Sequence, residues 1–573
     1  MDTELINQWR MCSQQLLSEQ SPFALGEDAN GNKIFCNAPS SLIEAIQAGR
    51  RHGDAPFLLW QDQRLSFSQF FALADTLTAA LQQELKIRSG ERVAIAMRNR
   101  PEWMIGFIAC VQAGAIPVPL NSWGLHDELL YAVKDAGASV VICDQDRLKQ
   151  LAGSLGHTQV IVVDGPADPD MGIHAWQALL DLPLAPMQLA TAEPDQPALI
   201  LYTSGTTSRA KGVVSTHRAL GQALFSLDYQ AAFAGMTSPD RVKPIMESGL
   251  QPTALLCVPL FHVSGLHAQF LTMLRNGRRM VIMFKWDLEE ALRLIEQERC
   301  TQFNGVPVMM HQLLSHPRFS SDATKTLFGL GLGGGASSRP LLDKVLHIKP
   351  MVMAGAGYGM TESNGIGAAH SGEQFVNFPE SAGWPLPLVD IVIGASPDKP
   401  LPSGSPGPIW LRSSAMMQGY WNRPEETEQA LVDGWLFSGD IGYLDEHGMV
   451  YITDRIKDII IRGGENISAL EVEQCAAEHA DVIESAVFAL PDVELGETVA
   501  MVARVSAPVE PAELQAFMAR HMAGYKVPST IWLTEQPLQR NATGKLQKQL
   551  IRDAFFAGAK AKPRNDHAET SHG

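Results

Sequence analysis

Hydroxyl, glycine and lysine residues crowd one short stretch of this chain, Tyr202-Thr-Ser-Gly-Thr-Thr-Ser-Arg-Ala-Lys-Gly212. It follows the apolar run 196–202, rich in strand formers, so it reads as a loop leaving a strand. Small residues such as Gly205 let backbone N–H groups approach phosphate oxygens closely. The hydroxyls of Thr203, Ser204, Thr206, Thr207 and Ser208 add donors. Lys211 supplies a point charge for a polyphosphate. A Walker A loop is rejected, because it needs Gly at 210 and Ser or Thr at 212, where this chain has Ala210 and Gly212. Taken alone, the stretch fits a flexible hairpin loop equally well.

A second stretch, Tyr358-Gly359-Met-Thr361-Glu362, follows a Gly-rich apolar run and should leave another strand. Tyr358 can stack on a purine, Thr361 can donate to a phosphate, and Glu362 can hold Mg²⁺, a hard cation that prefers carboxylate and phosphate oxygens. An ordinary turn with a solvated Glu explains this pentapeptide as well. A third stretch is Asn541-Ala-Thr-Gly-Lys545-Leu.

Together and in this order, the three stretches resemble the adenylate-forming acyl-CoA synthetase (AMP-binding) superfamily, over about residues 50 to 550. The resemblance implies ATP, Mg²⁺ and CoA, the last as acceptor substrate. A carboxylate is activated as acyl-AMP and passed to a thiol. It places residues 203–208 and Lys211 on the phosphates, and Glu362 with Thr203 on the metal. The Gly333-Gly334-Gly335-Ala336 segment would lie against adenine, with a packed Gly-rich turn as the alternative. Asp440 would accept from the ribose hydroxyls. Arg455 would be a second ribose or phosphate contact, in the hinge segment that also holds Asp454 and Lys457. Gly463 and Gly464 would let a pantetheine arm pass. Lys545 would bridge the substrate carboxylate and the α-phosphate, where a cation offsets developing charge. Lys548 reads as a solvated surface charge.

Pro259-Leu-Phe-His262-Val-Ser-Gly265 bears on substrate class. Amino-acid-activating relatives carry an Asp there for the α-ammonium, so His262 implies a carboxylate without an α-amino group and a gate to the acyl pocket. A satisfied core histidine is the alternative. The text around Pro119-Leu-Asn-Ser-Trp123 looks most like medium- to long-chain fatty acyl-CoA synthetases. The chain departs from the usual phosphate loop at Ser208 and Ala210, which replace Gly and Pro, and, two residues beyond the segment Arg462-Gly-Gly-Glu-Asn-Ile467, at Ala469, which replaces the usual Pro. Two other readings stand beside this one: a ligase that loads a carrier protein, and a non-catalytic acyl- or nucleotide-binding paralogue.

At 573 residues the chain exceeds one ordinary core, so two or more domains are expected. A composition of 45% hydrophobic and 19% charged residues is that of a soluble globular protein. A net charge of −17 argues against nucleic acid or an anionic membrane as main partner. No signal peptide is visible at Met-Asp-Thr-Glu-Leu, and the longest apolar region, 104–120, is interrupted by Gly106, Gln112, Gly114 and Pro117. That region reads as a buried helix, turn and strand, not a membrane span. Seven cysteines without a Cys-x-x-Cys pair read as buried free thiols in the cytoplasm. The expected partners are a small carboxylic acid, ATP and CoA. Peripheral membrane contact and a homodimer are compatible with this reading.

Strands at 92–97, 116–120, 140–143 and 160–163 alternate with helices at 101–113 and 126–137. Alternation with continuous apolar strands implies layered parallel sheets covered by helices. The expected fold is α/β. Residues 1–40 form an extension, 41–453 a large AMP-binding domain, 454–557 a small mobile α+β lid, and 558–573 a disordered tail. The Pro/Gly/Ser-rich stretch 395–407 fits a region between subdomains. In the lid, 472–479 and 513–521 read as helices, and 459–461, 485–490 and 499–505 as strands.

Overall fold

The apolar runs of the first half pair as their alternation requires. In the computed structural model, strands Ile116–Pro119, Arg92–Ala96, Val140–Cys143, Gln159–Val162 and Ile173–Ala175 form one sheet in that order, every pair parallel. The model describes residues 3–151, 153–203, 209–320, 322–333 and 339–560. Val140–Cys143 is buried along its whole length, which explains its unbroken apolar sequence. Helix Pro101–Gln112 starts with its proline in the first turn, where the missing N–H costs nothing. Helix His126–Ala136 ends on Gly137 in the left-handed region, φ 61°.

A second sheet has nine strands among the described residues. Its centre is parallel, running from Met353–Tyr358 through Gly329–Leu332, Gln302–Gly305, Thr253–Leu256 and Arg279–Ile282 to Pro56–Trp60. Antiparallel neighbours close both edges. The alternation pattern does not foresee two further antiparallel sheets. One joins Pro197–Tyr202, Gly212–Thr216 and Gly419–Tyr420. The other is built on Asp390–Ile393, Gly407–Arg412 and Trp435–Leu444. The Pro/Gly/Ser-rich stretch therefore lies within a sheet: it connects the neighbouring strands Asp390–Ile393 and Gly407–Arg412.

Within 1–40, read as an extension, residues from 3 onward pack into a hydrophobic cluster with later parts of the chain. Ile6 and Trp9 of helix Thr3–Leu16 and Phe35 of strand Lys33–Phe35 are buried among Tyr229, Phe233, Phe378 and Leu388. Each such side chain contributes about 1.5–3 kcal/mol by leaving water.

The chain divides into two compact units at Ile452/Thr453. In the small unit, strands Glu465–Ile467, Ile460–Arg462, Gly496–Val505 and Val482–Asp492 lie in that order, with Thr530–Thr534 parallel to Gly496–Val505. Val472, Leu514 and Met518, from helices Ala469–Ala477 and Pro511–Met518, pack with Val487 and Met501 of the sheet. Phe488, Trp532, Ile551 and Phe555 form a separate cluster. Ile460 is buried, but Ile461 is exposed, because side chains alternate along a strand. The last described helix, Lys548–Lys560, extends through 558–560, where disorder was expected. Residues 561–573 lie outside the described residues. No described helix is long and apolar enough to cross a membrane.

Candidate nucleotide-activating site

The Ser/Thr/Gly stretch connects two antiparallel strands. Tyr202 pairs with Gly212. Thr203 N–H donates to the Lys211 carbonyl at 2.9 Å, and Lys211 N–H reaches Thr203 Oγ1 at 3.4 Å. Both ends of the loop are thereby fixed. Ser204, Gly205, Thr206, Thr207 and Ser208 lie outside the described residues, as do Gly334, Gly335 and Ala336. The loop base is braced from the side. Tyr202 donates its hydroxyl to Asp135 Oδ2 at 2.8 Å, and Arg423 donates to Asp135 Oδ1 at 2.7 Å. Burial, then Asp135, pushes the Tyr202 phenol well up, so it remains a donor.

Lys211, Glu362 and Tyr358 are brought into one neighbourhood by residues far away in sequence. Lys211 Nζ stands 4.8 Å from the centre of the Tyr420 ring. The Tyr420 hydroxyl donates to Glu362 Oε1 at 2.8 Å. Glu362, 8% exposed, follows Thr361 in a single 3₁₀ turn, Thr361–Ser363. Four residues upstream, Tyr358 donates its hydroxyl to the buried Asp440 at 2.9 Å. Gly359 cannot carry a side chain: a Cβ would stand 2.6 Å from the Gly365 carbonyl.

The turn beyond Glu362 is held from three directions. Asn364 takes left-handed φ 52°. Its side chain accepts from Ser215 Oγ at 2.7 Å and donates to the Ala415 carbonyl at 2.9 Å. Its own carbonyl lies 3.1 Å from His267 Nδ1. His262 caps the short turn Val263–Gly265, and its Nδ1 accepts from Ser264 N–H at 3.3 Å. That segment abuts the same region, since a Cβ on Gly365 would meet Val263 at 3.2 Å. Trp123 is exposed, and the Arg98 guanidinium lies 3.1 Å over its ring.

The small unit carries its candidates on turns. Gly463 and Gly464, at φ 59° and 89°, are the two central residues of the hairpin whose strands pair at Arg462 and Glu465. Positive φ at both positions of a two-residue hairpin turn is the conformation glycine supplies without strain. Arg455 and Lys457 are exposed, after a buried Asp454 that accepts from Arg455 N–H at 2.6 Å. Lys545 sits in a tight turn organised by Asn541. Its Oδ1 accepts from Thr543 N–H and Oγ1–H and from Lys545 N–H, at 2.8–3.0 Å. Lys548 is not a solvated surface charge: it pairs with Glu473 at 2.7 Å, and both side chains are mostly buried. Burial raises the Glu473 carboxyl. Burial also pulls the Lys548 ammonium down, but Glu473 and Asp458 outweigh it and the net shift is upward.

The sequence reading missed Tyr420, Asn364 and Asp135. The only local signal for Tyr420 is the aromatic pair Tyr420-Trp421 after Gly419. Nothing local marks the other two. Among the described residues no cluster of three or more His, Cys, Asp or Glu side chains could hold a metal. The carboxylate of Glu362, linked to Lys211 through Tyr420, nevertheless suits a metal delivered with a nucleotide, whose phosphate oxygens complete its shell.

Parallel sheets followed by a small α+β unit, with Lys211 after the Ser/Thr/Gly stretch joined through Tyr420 to the buried Glu362, fit the adenylate-forming class of ligases. The chain belongs to the AMP-binding enzyme family. The family model matches residues 46–421, and that of the AMP-binding enzyme C-terminal domain matches 471–545. By class it is an acid–thiol ligase. It is 32% identical to a feruloyl-CoA synthase from Amycolatopsis sp, over 82% of this chain and 90% of that protein. It is 31% identical to a long-chain-fatty-acid–CoA ligase from Mycobacterium tuberculosis, over 87% and 94%. The o-succinylbenzoate CoA synthetase from Bacillus subtilis, solved with its acyl-adenylate intermediate, superposes with a TM-score of 0.73 at 27% identity, covering 89% of this chain and 97% of that one. The same enzyme is solved with ATP and a magnesium ion, at a TM-score of 0.72 and 27% identity, covering 89% and 99%.

Proposed function

We propose that this chain activates a fatty or related carboxylic acid with ATP and transfers the acyl group to CoA. The observation that carries this reading is the linked group of Lys211, Tyr420 and Glu362, with Asp440 held by Tyr358 nearby. A cation, a carboxylate for Mg²⁺ and a second carboxylate for a sugar are what an ATP site needs.

In the first half-reaction a carboxylate oxygen attacks the α-phosphorus, and the bond to pyrophosphate breaks. Lys211 and the hydroxyls of the 203–208 loop hold the phosphates. Thr361 donates to the α-phosphate, and Glu362 with Thr203 takes the metal. Tyr358 and the 334–336 segment flank the adenine, and Asp440 accepts from the ribose. Lys545 offsets charge between the two anions. In the second half-reaction the CoA sulfur attacks the acyl carbon and AMP leaves. Gly463 and Gly464 give the pantetheine arm close access to backbone, and residues 454–457 serve as hinge for the lid, 454–557. Hinge closure is a known device for separating two chemical steps.

His262 stands where an α-ammonium would need a carboxylate, and this supports an acid without an α-amino group. The ligases named above, for feruloyl and long-chain substrates, support the same class. All seven cysteines are free thiols, which supports a cytoplasmic protein; five are buried, while Cys36 is exposed and Cys12 partly so.

Pyrophosphate exchange over a panel of fatty, aryl and amino acids, with thioester formation followed with and without CoA, tests the reading. Exchange with fatty or aryl acids and CoA-dependent product is expected. Exchange with an α-amino acid alone overturns the substrate class. Exchange without CoA-dependent product assigns the acceptor to a carrier protein, and no exchange with any acid makes the chain a binding protein.

A further inference from the structure

Tyr420 contacts two charged groups at once, and neither comes from its own strand. Its strand, Gly419–Tyr420, lies beside Gly212–Thr216, the strand that leaves the phosphate-type loop. Trp421 N–H donates to the Gly212 carbonyl at 2.7 Å, which fixes Tyr420 one residue from the end of that loop. On the other side, Met417 N–H donates to the Glu362 carbonyl at 2.8 Å. The segment 417–421 is thus stitched to both stretches through backbone. From that position the side chain gives its hydroxyl to Glu362 and its ring face to the Lys211 ammonium. Burial and the Glu362 charge push the phenol up, so it donates throughout the physiological range.

We propose that Tyr420 is a positioning residue for adenylation, setting the Glu362 carboxylate and the Lys211 ammonium relative to each other before the nucleotide arrives. The proposal rests on the reading that Glu362 takes the metal and Lys211 the phosphates. A carboxylate held by a hydroxyl keeps one orientation, so less ordering remains when Mg²⁺·ATP binds. An ammonium over a ring face is held weakly enough to leave for a phosphate oxygen. One side chain therefore couples the metal-holding and phosphate-holding charges.

The test measures pyrophosphate exchange with dodecanoate while Mg²⁺ is titrated at fixed ATP, and separately thioester formation from supplied dodecanoyl-AMP and CoA. Tyr420→Phe keeps the ring and removes the hydroxyl. It should raise half-saturating Mg²⁺ about tenfold, as expected for loss of a hydrogen bond to a charged group. The thioester step and thermal midpoint should stay near wild type. Tyr420→Leu should add a further two- to fivefold loss as Lys211 loses the ring. In a Glu362→Gln background, Tyr420→Phe should change the Mg²⁺ requirement no further, because the hydroxyl acts through that carboxylate. Wild-type Mg²⁺ dependence in Tyr420→Phe, equal loss in both half-reactions, or additive effects in the double variant overturns the proposal. Unchanged Mg²⁺ dependence in Glu362→Gln alone overturns instead the assignment of the metal to Glu362.

Discussion

The two units hold their candidate groups by opposite means. In the large unit, Lys211, Glu362 and Asp440 are braced by residues distant in sequence: Tyr420 on Glu362, Tyr358 on Asp440, and Ser215, Ala415 and His267 on the turn at Asn364. In the small unit the groups ride on turns whose own hydrogen bonds close within a few residues, with Arg540 linking one turn to Glu484 and Gly463 N–H linking the other to the Leu495 carbonyl. Asn541 organises 543–545, and Gly463-Gly464 turns one short hairpin. On the proposed function, long-range bracing fixes charges that must already be in place when a polyanion binds. Local turns present a group without committing a core, which suits parts that act in one half-reaction and not the other.

The largest effect should come from breaking this contrast at Lys545. If the small unit serves the steps separately, Lys545→Ala should abolish adenylation and largely spare thioester formation from supplied acyl-AMP. A positioned charge at a developing anion is worth about 10²–10³-fold. Assaying the half-reactions apart decides it, and equal loss in both would refute the assigned role.

Acid should separate the units next. His217, His267 and His370 are buried in the large unit, and burial lowers each to about 4. Unfolded, each titrates near 6.5. Between those values the unfolded chain binds the protons, so the stability these groups contribute is lost as pH falls from 6.5 towards 4. The loss is about 2 kcal/mol per histidine between pH 7 and 5. In the small unit, burial shifts the Glu473 carboxyl up, which has the opposite sign: its ionised form is disfavoured by folding, so its protonation does not cost the fold. Amide exchange at pH 7 and 5 should show protection falling in the large unit well before the small one. Parallel loss in both would contradict the contrast.

Legibility in the sequence follows the same division. Strand Val140–Cys143, helices Pro101–Gln112 and His126–Ala136 and the long strands of the small unit follow from apolar period and terminal Pro or Gly, which are local properties. The stretches around Lys211, Glu362 and Lys545 are legible instead through their residue types and their resemblance to the adenylate-forming family. The braces are not legible, because Tyr420 and Glu362 are 58 residues apart and Ser215 and Asn364 are 149 apart. Only tertiary pairing of short antiparallel strands such as Gly419–Tyr420 brings them together. The partner of Lys548 was missed for the same reason: Glu473 sits on another helix of the small unit.

That pair is a long-range tie within the small unit, as are Arg540 with Glu484 and Lys526 with Glu471, and removing it should be felt there alone. Lys548→Met leaves the Glu473 carboxylate mostly buried without its ammonium. Fully buried pairs lose 3–5 kcal/mol when one partner is removed, and the remaining exposure of these two reduces the expected cost to about 2 kcal/mol. Denaturant unfolding read from Trp532, the single tryptophan after residue 453, should shift, while protection of the large unit stays as in the wild type. Glu473→Gln in the same chain should recover part of the loss by removing the stranded charge. Failure to recover would mean that the lysine's packing, not its charge, carries the effect.

The smallest effect should come from sharpening the large unit's loop. Ser208 and Ala210 stand where the family has Gly and Pro. The base of the loop is already closed by Thr203 and Lys211 and braced through Tyr202 and Asp135. Restoring both residues, Ser208→Gly with Ala210→Pro, therefore acts only on the ordering of the tip when ATP binds. Fixing φ at 210 and freeing it at 208 should lower the apparent KM for ATP by no more than about 1 kcal/mol in binding terms. The thioester half-reaction should not move. Weaker ATP binding in the double variant would mean that the Ser208 hydroxyl itself serves a phosphate oxygen, so that this loop, like Glu362 behind it, owes its geometry to a hydrogen bond in place of a glycine. Turnover that appears only in the double variant, with a silent wild type, would instead make the natural chain a binding protein whose bracing holds a nucleotide without using it.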